Sequence, residues 1–177
     1  MRSFFNRMIR AAQLDKKLYE EVEADKGSLG QAMMVVILSS LAAGIGTFGD
    51  SLERMVIGTV TALFGWFVWS GLIYLIGAKL LPEPQTEADY GQLLRTVGFS
   101  STPGLIRILG LFPWVGGGVV FLGASIWMMA AMVVAAKQAL DYRSMLRAVG
   151  VCAIGWIIQI SILIGVFIML ERAGRSG

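Results

Sequence analysis

Asp89-Tyr90-Gly91-Gln92-Leu93-Leu94-Arg95-Thr96-Val97-Gly98 returns later in the chain as Asp141-Tyr142-Arg143-Ser144-Met145-Leu146-Arg147-Ala148-Val149-Gly150. Both stretches fit D-Y-x-x-[LM]-L-R-x-V-G. Each follows an apolar run that ends in two small residues and a lysine, Gly77-Ala78-Lys79 and Ala135-Ala136-Lys137. An aspartate ahead of a helical run is a preferred N-cap, and a tyrosine beside it suits a boundary between water and lipid. The two copies therefore read as two helix entrances of one kind, and chance self-similarity in a chain rich in Ala, Gly, Leu and Val is the competing reading. Like entrances face one compartment only if a pair of helices lies between them.

Hydrophobic residues make up 56% of the 177 and charged residues 15%, with a mean hydropathy of +0.70. That balance lies outside the range of soluble domains and defines a membrane protein. The net charge of +3 is small and the basic residues are scattered, so no nucleic-acid footprint is present. The chain has no histidine and a single cysteine, Cys152, inside an apolar run. The commonest general base, the commonest metal ligand and any intrachain disulfide are thereby absent, and no cofactor or metal is expected.

Residues 1–28 form a charged N-terminal segment. Phe4, Phe5, Met8 and Ile9 recur one turn apart among Arg2, Arg7 and Arg10, the pattern of an amphipathic helix that lies along anionic headgroups or packs on the protein's own loops. Ser28 followed by Gln31 reads as a capping box that opens the first span. Apolar runs then predict spans over about 29–48, 55–81, 91–113, 119–139 and 149–170, with a tail at 171–177. Gly49-Asp50-Ser51 makes the first turn. Pro82-Glu83-Pro84 stops the second span, and Gly116-Gly117-Gly118 leads into the fourth.

The third segment is the irregular one. It carries Arg95, Ser100, Ser101, Thr102, Pro103 and Arg107, so it is kinked at the proline or re-entrant. Counting Lys and Arg puts eleven on the inside whether four or five segments cross. The repeated entrance decides for five, with the N-terminus cytoplasmic. The expected fold is an all-α polytopic bundle of five transmembrane helices with an N-terminal amphipathic helix.

The run Asp89-Tyr90, Leu94-Arg95, Val97-Gly98-Phe99-Ser100-Ser101, Pro103, followed by Trp127 to Tyr142 with its Gln138-Ala139-Leu140-Asp141-Tyr142 end, resembles the Yip1 domain family, in particular its short bacterial members. The resemblance implies a five-helix multi-pass protein without known catalytic activity, and a location in a bacterial cytoplasmic membrane. The family's eukaryotic members are linked to Rab GTPases and vesicle traffic. Their Asp-Leu-Tyr-Gly-Pro signature is not matched here, where Lys17-Leu18-Tyr19-Glu20 stands instead, so Rab binding is not expected.

Two sets of residues are candidates for function. Asp89, Tyr90, Arg95, Asp141, Tyr142 and Arg147 read as interfacial anchors or as a pseudo-symmetric surface for an anionic lipid head or a partner's carboxylate. Ser100, Ser101, Thr102, Pro103, Arg107 and Gln159 read as an intramembrane polar site, because a charge within a span is expensive to hold there. The first set leads to a non-enzymatic scaffold or adaptor that binds membrane lipids, other membrane proteins or further copies of itself. The second leads to a small transporter, channel or lipid-translocating protein.

Overall fold

The computed structural model of the chain describes residues 2–48 and 52–175; the Gly49–Ser51 turn and the last two residues of the tail lie outside them. Among the described residues every regular element is helical: α1 Arg2–Ala12, α2 Lys16–Ala24, α3 Leu29–Phe48, α4 Leu52–Ile73, α5 Tyr90–Ser100, α6 Gly117–Ala139 and α7 Met145–Arg175. A π-helical stretch, Tyr74–Leu80, extends α4, and 3-10 turns occupy Lys26–Ser28, Thr102–Leu111 and Pro113–Val115.

Four of these helices are long and apolar enough to cross a membrane: Lys26–Gly46, Leu52–Leu80, Gly117–Ala139 and Met145–Ile162. Only 22–28% of the residues in each of their apolar windows are buried in protein, so the rest of that apolar surface needs lipid around it. The segment between the second and third of them is different. Every residue from Leu93 to Ser100 is buried, as are Thr102, Pro103 and Gly104. It is the axis on which α3, α4 and α6 pack.

Pro103 explains its shape. Proline has no N–H to offer the Phe99 carbonyl and its ring crowds that carbonyl, so α-helical bonding ends. The hydroxyl of Thr102 takes over the Phe99 carbonyl at 2.7 Å, and that of Ser100 bonds the Val97 carbonyl at 2.7 Å. Beyond the break the chain winds as 3-10 helix over ten residues. At about 1.5 Å per residue before the break and about 2.0 Å after it, Tyr90–Leu111 spans about 36 Å, as long as a hydrocarbon core is thick. The segment continues along the bundle past Pro103, and the kink expected at the proline is present. Gly98 sits on Ala32, Gly104 on Ser39, and Gly110 on Gly46, so it runs parallel to α3. Its far part lies antiparallel to α6, with Gly104 beside Met128 and Arg107 beside Ser125.

Small residues make this approach physically available. A β-carbon on Gly98 would stand 2.7 Å from that of Ala32, and one on Gly46 would overlap the Arg107 carbonyl. The small residues Ser39, Ser40 and Gly44 of α3 are used on two sides. Ser39 meets the broken segment, while Ser40 bonds Thr59 and Gly44 packs on Met55 of α4.

The capping box expected at Ser28 and Gln31 does not form. Asp25 caps instead, accepting the Gly27 N–H at 3.0 Å, because the chain leaves α2 through a 3-10 turn rather than an extended entry. Ser28 donates to the Val22 carbonyl, and Gln31 accepts from Arg7.

Substituting Ala at Gly98 or Gly46 is expected to lower stability by about 1–3 kcal/mol through overpacking against backbone. Gly65→Ala, whose β-carbon meets nothing within 4 Å, is expected to be neutral or stabilising by up to about 1 kcal/mol through helix propensity. Thermal unfolding in detergent compares the three.

Candidate functional site

The two copies of the repeated motif lie at the same end of the bundle but are built differently. In the first, Asp89 accepts the Gln92 N–H at 2.8 Å while the Gln92 side chain returns to the Asp89 N–H, a complete capping box on α5. In the second, Asp141 has φ +53° and closes α6 instead of opening α7. Its N–H bonds the Gln138 carbonyl and that of Tyr142 bonds Lys137, the paired bonds of a Schellman motif. Aspartate tolerates this left-handed position where most residues do not. The reading of Asp141 as an entrance cap is therefore corrected: the helix it precedes starts only at Met145.

What the copies share is the work of the arginine. The last carbonyls of a helix have no partner within it and carry its negative dipole end. Arg95, only 6% exposed, donates Nε to the Val22 carbonyl at 3.0 Å and Nη2 to that of Glu23, at the end of α2. Arg147 donates Nη2 at 3.1 Å to the carbonyls of Leu81 and Pro82, where the π-helical stretch ends, and stands 3.6 Å from the Glu83 carboxylate. Tyr142 is buried, its hydroxyl 2.8 Å from the carbonyls of Gly77 and Leu81, and Tyr90 donates to the Phe67 carbonyl at 2.9 Å. Arg95 is thus turned inward onto α2. Arg147, Asp141, Asp89 and Tyr90 stay on the surface.

The N-terminal helices are fastened at this end by the same kind of bond. Trp127 Nε1 donates to the Ala12 carbonyl at 2.8 Å, and the buried Tyr19 hydroxyl to that of Ala11. Arg7 and Arg10 pair with Glu21, Asp25 and Asp15 at 2.7–2.9 Å. These two cations are committed within the protein instead of to headgroups. Phe5 and Ile9 stay exposed, and Phe5 lines a cavity with the exposed Met34 of α3.

Glu23 lies in the seam between α2 and α5 and accepts from Gln92 Nε2 at 3.1 Å. Burial, reinforced by the charge of Asp141, pushes its carboxyl up to about 7; Arg95 pulls the other way, and Glu20 and Asp89 add to the rise.

The second candidate set divides. Ser100 and Thr102 spend their hydroxyls on their own backbone, and Pro103 provides the break. Ser101, Arg107 and Gln159 come together on one cavity of about 280 Å³, with Ser39, Ser40 and Trp69. Arg107 also walls a cavity of about 540 Å³ with Gly46, Gly117, Gly118, Phe121 and Ser125. Its Nη2 donates to Ser125 Oγ at 2.9 Å, and the guanidinium carbon stands 4.4 Å from the Phe121 ring centre. Nothing in the order of residues marked Ser125, Phe121 or Trp69 as neighbours of Arg107. Among the described residues no group of three or more His, Cys, Asp or Glu side chains is placed to hold a metal.

An apolar, lipid-surrounded set of helices wrapped on a proline-broken central segment defines a multi-helix membrane protein. The sequence model of the Yip1 domain matches residues 16–167, and the chain belongs to that family. No curated protein and no solved structure matches the chain.

The sign of the pH effect follows from Glu23. Its pKa in the folded protein is raised above the ordinary 4.5, so the folded state binds the extra proton. That contribution is fully present below about 4.5 and is lost as pH rises through about 7. Hydrogen exchange of α2 amides, corrected for intrinsic rates, is expected to quicken between pH 6 and pH 8, and Glu23→Gln is expected to remove the change.

Proposed function

We propose that this protein is a non-enzymatic scaffold or adaptor of a bacterial cytoplasmic membrane, crossing it five times with the N-terminus in the cytoplasm. In this reading the segment 90–111 is the third crossing and both Asp-Tyr corners face the cytoplasm. One observation carries it: α1 and α2 are fixed to the bundle by Arg95, Trp127 and Gln138, which turns an otherwise marginal pair of short helices into a rigid cap. The cap has two faces. Phe5 and Ile9 are exposed apolar residues, so α1 lies at the lipid boundary, while Lys16 and Lys17 point away.

Beside the cap, Tyr90, Asp141, Arg143 and Arg147 form the accessible part of the repeated motif. An aromatic ring flanked by charges of both signs suits a partner protein's polar segment. Arg147→Ala together with Arg143→Ala is expected to reduce partner recovery by about ten-fold, the loss of about one charged contact. Thermal stability should fall by no more than about 1 kcal/mol, the worth of an exposed pair. A photoreactive side chain at Tyr90 reads this out. Discrete protein adducts that vanish in the double variant support the adaptor; adducts with lipid alone, or with unchanged proteins in the variant, refute it.

A second reading, passage of lipid or a small solute, is favoured by the three cavities that share Arg107 as a wall. Purified protein in liposomes should then move a lipid analogue or ion faster than an Arg107→Ala control. Equal rates end that reading.

A further inference from the structure

Beyond the proline break, Arg107 holds its guanidinium between the 3-10 segment and α6. Five N–H donors need acceptors, and the structure supplies one side-chain partner, Ser125 Oγ. Nε is buried and has no hydrogen-bond partner. Among the described residues no carboxylate forms an ion pair with it; the ion pairs lie at Arg7, Arg10 and Arg147. A buried charged donor left unsatisfied costs about 1–3 kcal/mol or more, so the arginine is held ready for an acceptor that the chain does not provide.

The space for that acceptor is present. The cavity of about 540 Å³ beside Arg107 has a floor of Gly46, Gly117 and Gly118, where no side chain intrudes. It falls in the size range of small-ligand sites. Its rim is apolar and open, with Phe121 and the 63%-exposed Leu122 on α6. Arg54 lines an adjoining cavity of about 340 Å³ together with Arg107, so two cationic side chains border one region. A charged head beside an apolar, lipid-facing flank matches one class of molecule: a phospholipid whose phosphate meets the guanidinium while its acyl chains lie along α6.

We infer that Arg107 and the glycine-floored cavity bind the headgroup of an anionic phospholipid. The phosphate accepts from the guanidinium, a donor whose charge and geometry suit an oxyanion. Phe121 holds the guanidinium plane from one side, and Ser125 fixes its rotation. The absence of a nearby carboxylate among the described residues favours a head with net negative charge over a zwitterionic one. This site is independent of the adaptor surface at the other end.

The test uses the full chain in neutral detergent, with native mass spectrometry counting bound phosphatidylglycerol, phosphatidylcholine or inorganic phosphate. The wild type is expected to bind phosphatidylglycerol about ten-fold more tightly than phosphatidylcholine, and Arg107→Ala to lose about ten-fold of that affinity. Gly118→Leu keeps the arginine and places its side chain where a β-carbon meets nothing within 4 Å, so it should fold, fill the cavity and lose the lipid too. Unchanged phosphatidylglycerol binding in either folded variant overturns the site. Displacement of the lipid by millimolar phosphate overturns the lipid as its occupant and leaves a simple anion site. Lys17→Ala, an exposed cation on α2, should bind phosphatidylglycerol as the wild type does; an equal loss there would show general charge attraction and refute the assignment to Arg107.

Discussion

A backbone that leaves α-helical bonding inside a bilayer must find its hydrogen bonds in protein, because lipid offers none. That constraint organises this molecule. Pro103 ends one helix halfway along its path, and Thr102 and Ser100 re-satisfy freed carbonyls from within the segment itself. Beyond the break the irregular backbone packs on α3 and α6 along one side, while Ile106, Ile108, Leu109 and Leu111 stay exposed; before it, α3, α4 and α6 surround α5. The most polar of the membrane-length segments thus becomes the most deeply wrapped, and the most apolar helices become the wrapping. Small residues at Gly46, Gly98 and Gly104 let the wrapping come close enough to exclude lipid.

The same accounting applies at helix ends. Carbonyls at the close of α1, α2 and the π-helical extension of α4 are met by side chains from distant parts of the chain: Tyr19 and Trp127, Arg95, then Tyr142 and Arg147. A cationic donor at such an end gains both a hydrogen bond and the attraction of the helix dipole. These bonds link elements of low intrinsic stability to the bundle. The cap of α1 and α2 is held by a few such bonds, its internal ion pairs and a small buried cluster around Leu18, Tyr19 and Val22. A region stabilised in this way is sensitive to ionisation at Glu23, since loss of one contact loosens a whole helix.

The two ends of the molecule therefore differ in chemistry. At the cap end, Arg7, Arg10, Arg95 and Arg147 are each matched to a carbonyl or carboxylate, and what remains outward carries charges of both signs. At the other end, Arg107 meets a hydroxyl and an aromatic face, with a glycine-floored space beside it. Membership of the Yip1 domain family is consistent with a role carried by surfaces and lipid contacts.

Composition and apolar run lengths were enough, without coordinates, to establish a helical membrane protein, and α3 and α6 fall close to the runs predicted for them. The repeat was legible as sequence, and its two copies do lie at one end. That Asp89 opens a helix while Asp141 closes one was not legible. Capping depends on whether the chain enters extended or leaves through a left-handed residue, and the same dipeptide serves either. Pro103 announced a break, yet which hydroxyls repair it and which helices cover it follow from packing. Arg107 was visible as a charge in an apolar run; its pairing with Ser125 and Phe121 was not, because those residues are brought to it by α6 running antiparallel alongside. Sequence alone determined what had to be buried and what had to face lipid, since transfer energies belong to residue types. Only the tertiary structure decided which donors meet which acceptors, since that depends on how neighbouring helices are set against one another.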